Sequence, residues 1–271
     1  MKKFSALKHV LSGLLMIAIL LPMPGCKKED NDPAPNLPPE SAFVMDFSDF
    51  TDEQKAVLAN ETYVNRTLAV LHVALWNTVV FVHMAVPVAT FKEAFDQEPQ
   101  PQDDGSWLWS FDVVVGQTTF TAKLYGEIVG NQVEWEMYVS KSGNNPYEDF
   151  LWYSGTSQIG NKQGEWTLYK SAADPTPFVG IEWFKNDDGT QGITYTNIVP
   201  GGSENGGYIS YEVTGNTPYD ASYEIFTKGE NNLVEINWSR ETKAGQIKDP
   251  KTFSDEEFHC WDENGVDIEC P

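Results

Sequence analysis

The sequence predicts an α+β domain in which an N-terminal helix, or a kinked helix pair, packs on a strongly curved antiparallel β-meander. The sheet is expected as a barrel or half-barrel of about ten to twelve strands. Three observations carry this. From Ser106 onward, apolar residues recur with period two, as in strands with one packed and one wet face. Short clusters of turn residues separate the runs, among them Asp103-Asp104-Gly105, Gly130-Asn131 and Asp187-Asp188-Gly189. Before them, Leu68 to Phe91 is apolar nearly all round, so it needs shelter on every side.

At the N-terminus, Lys2, Lys3 and Lys8 precede an apolar run from Leu11 to Leu21, then Pro22-Met23-Pro24-Gly25-Cys26. A basic head, a short apolar core and a small residue before the cut describe a secretory signal peptide over 1–25. That core is shorter than the roughly 20 apolar residues a finished membrane span needs. Gly25-Cys26 resembles the lipobox of bacterial lipoproteins, although Pro24 departs from the usual pattern. The resemblance implies that Cys26 becomes the lipidated N-terminus and that the membrane is a partner through this anchor. Several acyl chains then hold the protein stably. Lys28-Glu29-Asp30 resembles the export signal of Bacteroidota-type lipoproteins. This implies an outer-membrane address, facing the cell surface, with a periplasmic facing as the alternative. Residues 26–40 are Pro-rich and read as a disordered tether. Residues 41–271 form the single folded domain.

Removing the signal leaves 15 basic against 40 acidic residues, a balance of −25. So negative a field excludes nucleic acid as a partner and disfavours docking on anionic lipid.

Thr51-Asp52-Glu53-Gln54 has the form of a capping box, so a helix is expected from about Asp52. It continues through Val57, Val64, Leu68, Leu71 and Leu75. In the apolar stretch that follows, His72, Asn77, His83 and Pro87 favour burial over a membrane span. Its Val content leaves a buried strand as an alternative for part of it. Downstream, the core-facing series are Trp107 to Val115, Phe120 to Leu124, Val133 to Val139, Trp166 and Leu168, Val179 to Trp183, Ile209 to Val213 and Val234 to Trp238. Glu134-Trp135, Glu165-Trp166 and Glu182-Trp183 repeat one pair on three strands, which reads as an outward acid beside an inward ring.

Cys260 and Cys270 flank an Asn264-Gly265 turn. A three-residue loop at 264–266 would set Cys260 opposite Cys270, within disulfide reach, and export favours the bond.

Motifs for chemistry are sparse. No His-Glu-x-x-His, Gly-x-Ser-x-Gly or phosphate loop occurs. No catalytic residue, metal ligand or cofactor is assigned. His72, Trp76 and His83 share a helix face and are the ligand-binding candidates, although the two His lie about 16 Å apart along the axis. Glu134, Glu136, Glu165 and Glu182 could supply a carboxylate pair for glycoside chemistry, although acids are so abundant that any two would look like a pair. Phe, Trp and Tyr total 35 of 271 residues, enough to fill a core and also to line a groove. The expected function is a non-catalytic binding or interaction module of the envelope, with an apolar or glycan ligand. The alternatives are a carboxylate-dependent hydrolase of glycans and a structural component of an envelope complex. In architecture alone the prediction is similar to lipocalin-like barrels and to helix-plugged periplasmic lipoprotein carriers.

Overall fold

A computed structural model describes residues 33–50 and 61–270. The signal peptide, Cys26, the export signal and the Thr51 capping box lie outside the described residues. The compact unit begins at Ala34.

Among the described residues, fourteen antiparallel strands form one sheet in simple chain order, β1 (Gln100–Pro101) to β14 (Asp267–Ile268). The others are β2 (Trp107–Val115), β3 (Thr118–Val129), β4 (Gln132–Lys141), β5 (Tyr147–Gln158), β6 (Gln163–Ser171), β7 (Asp174–Lys185), β8 (Gln191–Asn197), β9 (Tyr208–Val213), β10 (Ala221–Thr227), β11 (Asn232–Trp238), β12 (Gly245–Lys248) and β13 (His259–Trp261). β1 does not pair with β14, so the sheet is not a closed barrel. The count exceeds the ten to twelve expected because β1, β13 and β14 are two- or three-residue pairings with too few residues to show a period.

The inner face is as the alternation predicts. Trp109, Phe111, Val113, Trp135, Met137, Trp166, Leu168, Ile181, Trp183, Ile236 and Trp238 are all buried. Glu134, Glu165 and Glu182 point to water. Large rings fit side by side because glycines face them across the strands. Gly126 and Gly155 both oppose Trp135, and Gly155 also opposes Trp166. A Cβ on Gly155 would lie 2.2 Å from the Glu165 carbonyl oxygen and 2.5 Å from the Trp166 ring. Such cross-strand ring-over-glycine pairs recover packing that the glycine itself lacks.

Residues 34–50 cross this inner face as an irregular strap. Phe43, Met45, Phe47 and Phe50 are buried in it. Phe43 lies against Phe91, Tyr153 and Trp166, and Phe50 against Tyr223 and Trp238. Irregular backbone buried this way must find hydrogen-bond partners, and the sheet's polar ring atoms supply them. Trp166 Nε1 donates to the Ala42 carbonyl at 2.9 Å. The Tyr195 hydroxyl accepts from Met45 N–H at 2.8 Å and donates to the Phe43 carbonyl at 2.9 Å. Tyr223 donates to the Asp46 carbonyl, and Trp238 Nε1 to Asp49 Oδ2 at 2.8 Å. The tether expected to reach residue 40 is therefore shorter. Ala34 and Leu37 pack on the core, and Asn161 Nδ2 donates to the Asn36 and Leu37 carbonyls at 3.1 and 2.8 Å. A Pro-rich strap cannot make its own core, but it can cover another one.

Helix α1 (Val64–Glu93) shares the inner side, packing on β2 near one end of the sheet and on β12 and β13 near the other. The apolar run is helical, with no strand in it. Its halves Val64–Thr78 and Val82–Asp96 meet at 69°. Just before the bend, the Thr78 hydroxyl bonds back to the Ala74 carbonyl at 2.9 Å, a contact that favours bending. Pro87 withholds one backbone donor just after it. Among the described residues no single helix is long and apolar enough to cross a membrane. The bent pair meets that test by length and composition only. Tyr63 makes no side-chain cap at the helix start. Instead Asp267 of β14 accepts from Val64 N–H at 2.9 Å and Asn65 N–H at 3.0 Å, placing an acid at the positive end of the helix.

Cys260 and Cys270 are bonded, with their Cα atoms 5.2 Å apart. Their register differs from the expectation: Cys260 opposes Ile268, and Trp261 opposes Asp267. The loop is five residues long because Asp262 Oδ1 accepts from both Asn264 N–H and Val266 N–H at 2.9 Å, holding a wider turn than Asn-Gly alone would make. Cys270 reaches its partner from beyond the end of the strand.

Candidate functional site

Two adjoining grooves lie on the wet face of the sheet, opposite the strap and α1. A groove of about 800 Å³ runs over β3, β4, β5 and β6. Strand alternation fixes its lining, and pairing register aligns that lining into rows. Tyr125, Glu136, Ser154 and Thr167 form one row, each opposite the next. Glu127, Glu134, Thr156, Glu165 and Glu182 form the next. Lys123 opposes Tyr138 at the far side.

Two half-buried rings stand in the groove. Tyr125 and Tyr138 meet edge to face, with centroids 5.9 Å apart and planes at 83°. The Tyr138 hydroxyl donates to Glu136 Oε2 at 3.0 Å. Burial first, and the Glu136 contact second, push the Tyr138 phenol above its ordinary range. Beside it, Lys123 Nζ donates to both oxygens of Asp149 at 2.9 and 3.0 Å. That hydrogen bond holds the Asp149 carboxyl below, and the Lys123 ammonium above, their ordinary values.

Asp149 is aimed there by a β-bulge. The register of β4 against β5 shifts around Tyr138 and Lys141, and Asp149 takes a left-handed φ of 45°. Its N–H donates to Ser140 Oγ at 2.9 Å, which fixes the bulge.

A second groove, about 640 Å³, adjoins the first and shares Thr156 and Glu165 with it. Gln132, Gln158, Gln163, Glu182 and Glu212 line it. Phe184 lies across Gly192, where a Cβ would come within 2.4 Å of the ring. Together the two grooves present rings, amides, hydroxyls and carboxylates along one continuous face.

The helix residues expected to bind ligand are not brought together. His72 Nε2 pairs with Asp249 Oδ2 at 3.0 Å. His83 is exposed, its ring edge-on to Phe178 at 5.2 Å. Trp76 packs against the core. The helix bend falls between the two His, and neither groove touches any of the three. Among the described residues, no group of three His, Cys, Asp or Glu side chains could hold a metal ion.

Glu134 and Glu165, expected among the acids, do line the groove, as does Glu136; Glu182 lines its neighbour. Glu165 stands directly opposite Glu182, a pairing that sets Cβ atoms about 5 Å apart. General-acid work at neutral pH calls for a carboxyl in an apolar pocket, and all four are exposed to water. Tyr125, Tyr138, Lys123 and Asp149 escape a reading of the sequence, because each lies on a different part of its strand and only register unites them.

No family model, no curated protein and no solved structure matches the chain.

Proposed function

We propose that this chain is an outer-membrane lipoprotein, anchored through Cys26 and facing the cell surface, whose folded part is a non-catalytic glycan-binding module. The observation that carries the binding reading is the pair of Tyr rings in a long polar groove. Sugars present apolar C–H faces that lie on aromatic rings, and hydroxyls that pair with carboxylates, amides and alcohols. The groove offers both, as ligand sites do when a few polar groups converge on ring surfaces. Its length over seven strands, β3 to β9, suits an oligosaccharide better than a single sugar.

The finer architecture fits the same reading. One helix reaches both ends of the sheet, so we read the meander as a half-barrel rolled around the strap and α1. The inner face is filled by Trp and Phe rings, which leaves the wet face for ligand and disfavours an apolar ligand inside.

The test is binding of the full-length protein to a panel of neutral and amino-sugar oligosaccharides by calorimetry. Tyr125→Ala and Tyr138→Ala should each weaken binding about tenfold, roughly 1.4 kcal/mol. Binding by the wild type that neither substitution changes would remove the groove from the account. Release of reducing ends during the same incubations would replace it with the hydrolase reading. Fatty-acid labelling lost in Cys26→Ser tests the anchor.

A further inference from the structure

We propose that the outward face of α1 lies on the lipid surface to which the chain is anchored, so that the glycan groove points away from the membrane. This rests on the lipoprotein reading above. Val64, Leu71 and Leu75, all before the 69° bend, are spaced seven and four residues apart, which puts them on one helical stripe. All three are exposed, Leu75 at 63%. Water-facing residues of that size on one line are unusual for a surface helix.

The charge pattern points to lipid rather than to a protein partner. Between Arg66 and Lys92 the chain has no Asp, Glu, Lys or Arg, while the whole sequence carries a net charge of −22. The helix is thus a neutral band, bounded by two cations, on an acidic molecule. A second copy would bring the same negative field against it. A zwitterionic surface accepts the neutral band, takes Arg66 at its phosphates, and leaves the acids in water.

Chain length brings the band to the surface. Ala34 is packed on the core only eight residues after Cys26, so the connection spans at most about 28 Å. Strap and α1 both lie on the inner side of the sheet, with Phe43 stacked on Phe91 at 4.7 Å, and Lys92 paired with Glu40. The described chain therefore begins on the helix side of the sheet. A short linker gives an effective concentration in the millimolar range, so a face too weak to bind alone stays docked. The groove lies on the opposite side of the sheet.

The experiment uses the lipidated full-length protein in phosphatidylcholine vesicles with brominated acyl chains. A polarity-sensitive fluorophore is placed at Leu75→Cys, and, in a second preparation, at Thr156→Cys in the groove. The label at 75 should shift to the blue and lose at least half its emission to bromine. The label at 156 should do neither. Adding Leu71→Glu should restore most of the emission at 75. Intact acylation by mass, with a label at 75 that stays aqueous, overturns the docking and leaves the anchor standing. A mature N-terminus without acyl mass overturns both. A blue shift that ignores bromine and grows with protein density assigns the face to a second copy and also overturns the proposal.

Discussion

Among the described residues Asp249 is the most deeply embedded acid, 1% exposed, and it works as a hub. It accepts from Asn232 Nδ2 at 2.8 Å, from the Thr252 hydroxyl at 2.5 Å and pairs with His72 on α1. It also caps the short helix α2 (Pro250–Phe253). Burial pushes its carboxyl up, but the hydrogen bonds from Thr252, Asn232 and His72 outweigh this and leave it below its ordinary value. A folded-state value below the unfolded one means that the stabilisation is fully present above about pH 4. It is lost as pH falls through the folded value beneath that. Asp249→Asn should therefore give a shallower acid limb in denaturant melts taken from pH 6 downward; parallel limbs would refute the hub. Asp249→Ala strands three polar partners and should cost about 3 kcal/mol at pH 7. Gly155 is a second single-residue constraint. Its missing Cβ would meet backbone oxygen, which cannot rotate away as a side chain could. Gly155→Ala should cost at least about 2 kcal/mol in urea melts, more than the usual strand gain from a Cβ.

At the scale of elements, the strap and the helix cap show what patterning does and does not reveal. Period two exposes the core series of most strands, because one side of each strand is in water. β5 hides from that reading: its bulge at Asp149 puts two residues against one and breaks the alternation. The strap hides for another reason. Its Pro content resembles a linker, and the groups that make it a packed element, Asn161 and the polar ring atoms of Trp166, Tyr195, Tyr223 and Trp238, lie far away in sequence. Tyr195→Phe tests this directly. It leaves Met45 N–H and the Phe43 carbonyl without their partner in a dry site, so it should cost about 2 kcal/mol and make residues 34–50 exchange amide protons sooner than the sheet. The C-terminal hairpin was legible as a disulfide, yet its register and its purpose were not. Asp267 sits between the bonded cysteines in sequence and caps α1 from 203 residues away. Removing the cap with Asp267→Ala should cost about 1–2 kcal/mol, and Cys270→Ser about 2–3 kcal/mol through the lost loop constraint. Because the disulfide holds the cap in place, the double variant should lose less than the two costs together. Strict additivity in thermal melts would uncouple them.

Across the whole molecule, an open fourteen-strand sheet has two edges that invite pairing with other chains. Both are blunted. β1 is two residues long and ends in Pro101, and β14 is two residues long and followed by the disulfide. The broad wet face has a different cost. Glu127 opposes Glu134, Glu165 opposes Glu182, and Glu224 opposes Glu235. Like charges set opposite each other destabilise a sheet, and Lys248 relieves only the last pair, through Glu235. With 40 acids against 18 bases, repulsion outweighs the ion pairs that salt would also weaken. Raising sodium chloride from 10 to 150 mM shortens the screening length from about 30 to about 8 Å. The melting temperature should then rise by about 3–6 °C, the shift expected for roughly 1–2 kcal/mol in a chain of this size. Glu165→Gln should raise the low-salt melting temperature and flatten its dependence on salt. The same substitution removes a groove carboxylate, so under the glycan reading it should also weaken ligand binding. Stability gained and affinity lost in one variant is the pattern expected where a binding face keeps charges that folding alone would discard. If Glu165→Gln stabilises the protein and binds oligosaccharide as tightly as the wild type, the acids of this face owe their place to solubility, and the ligand rests on the Tyr rings alone.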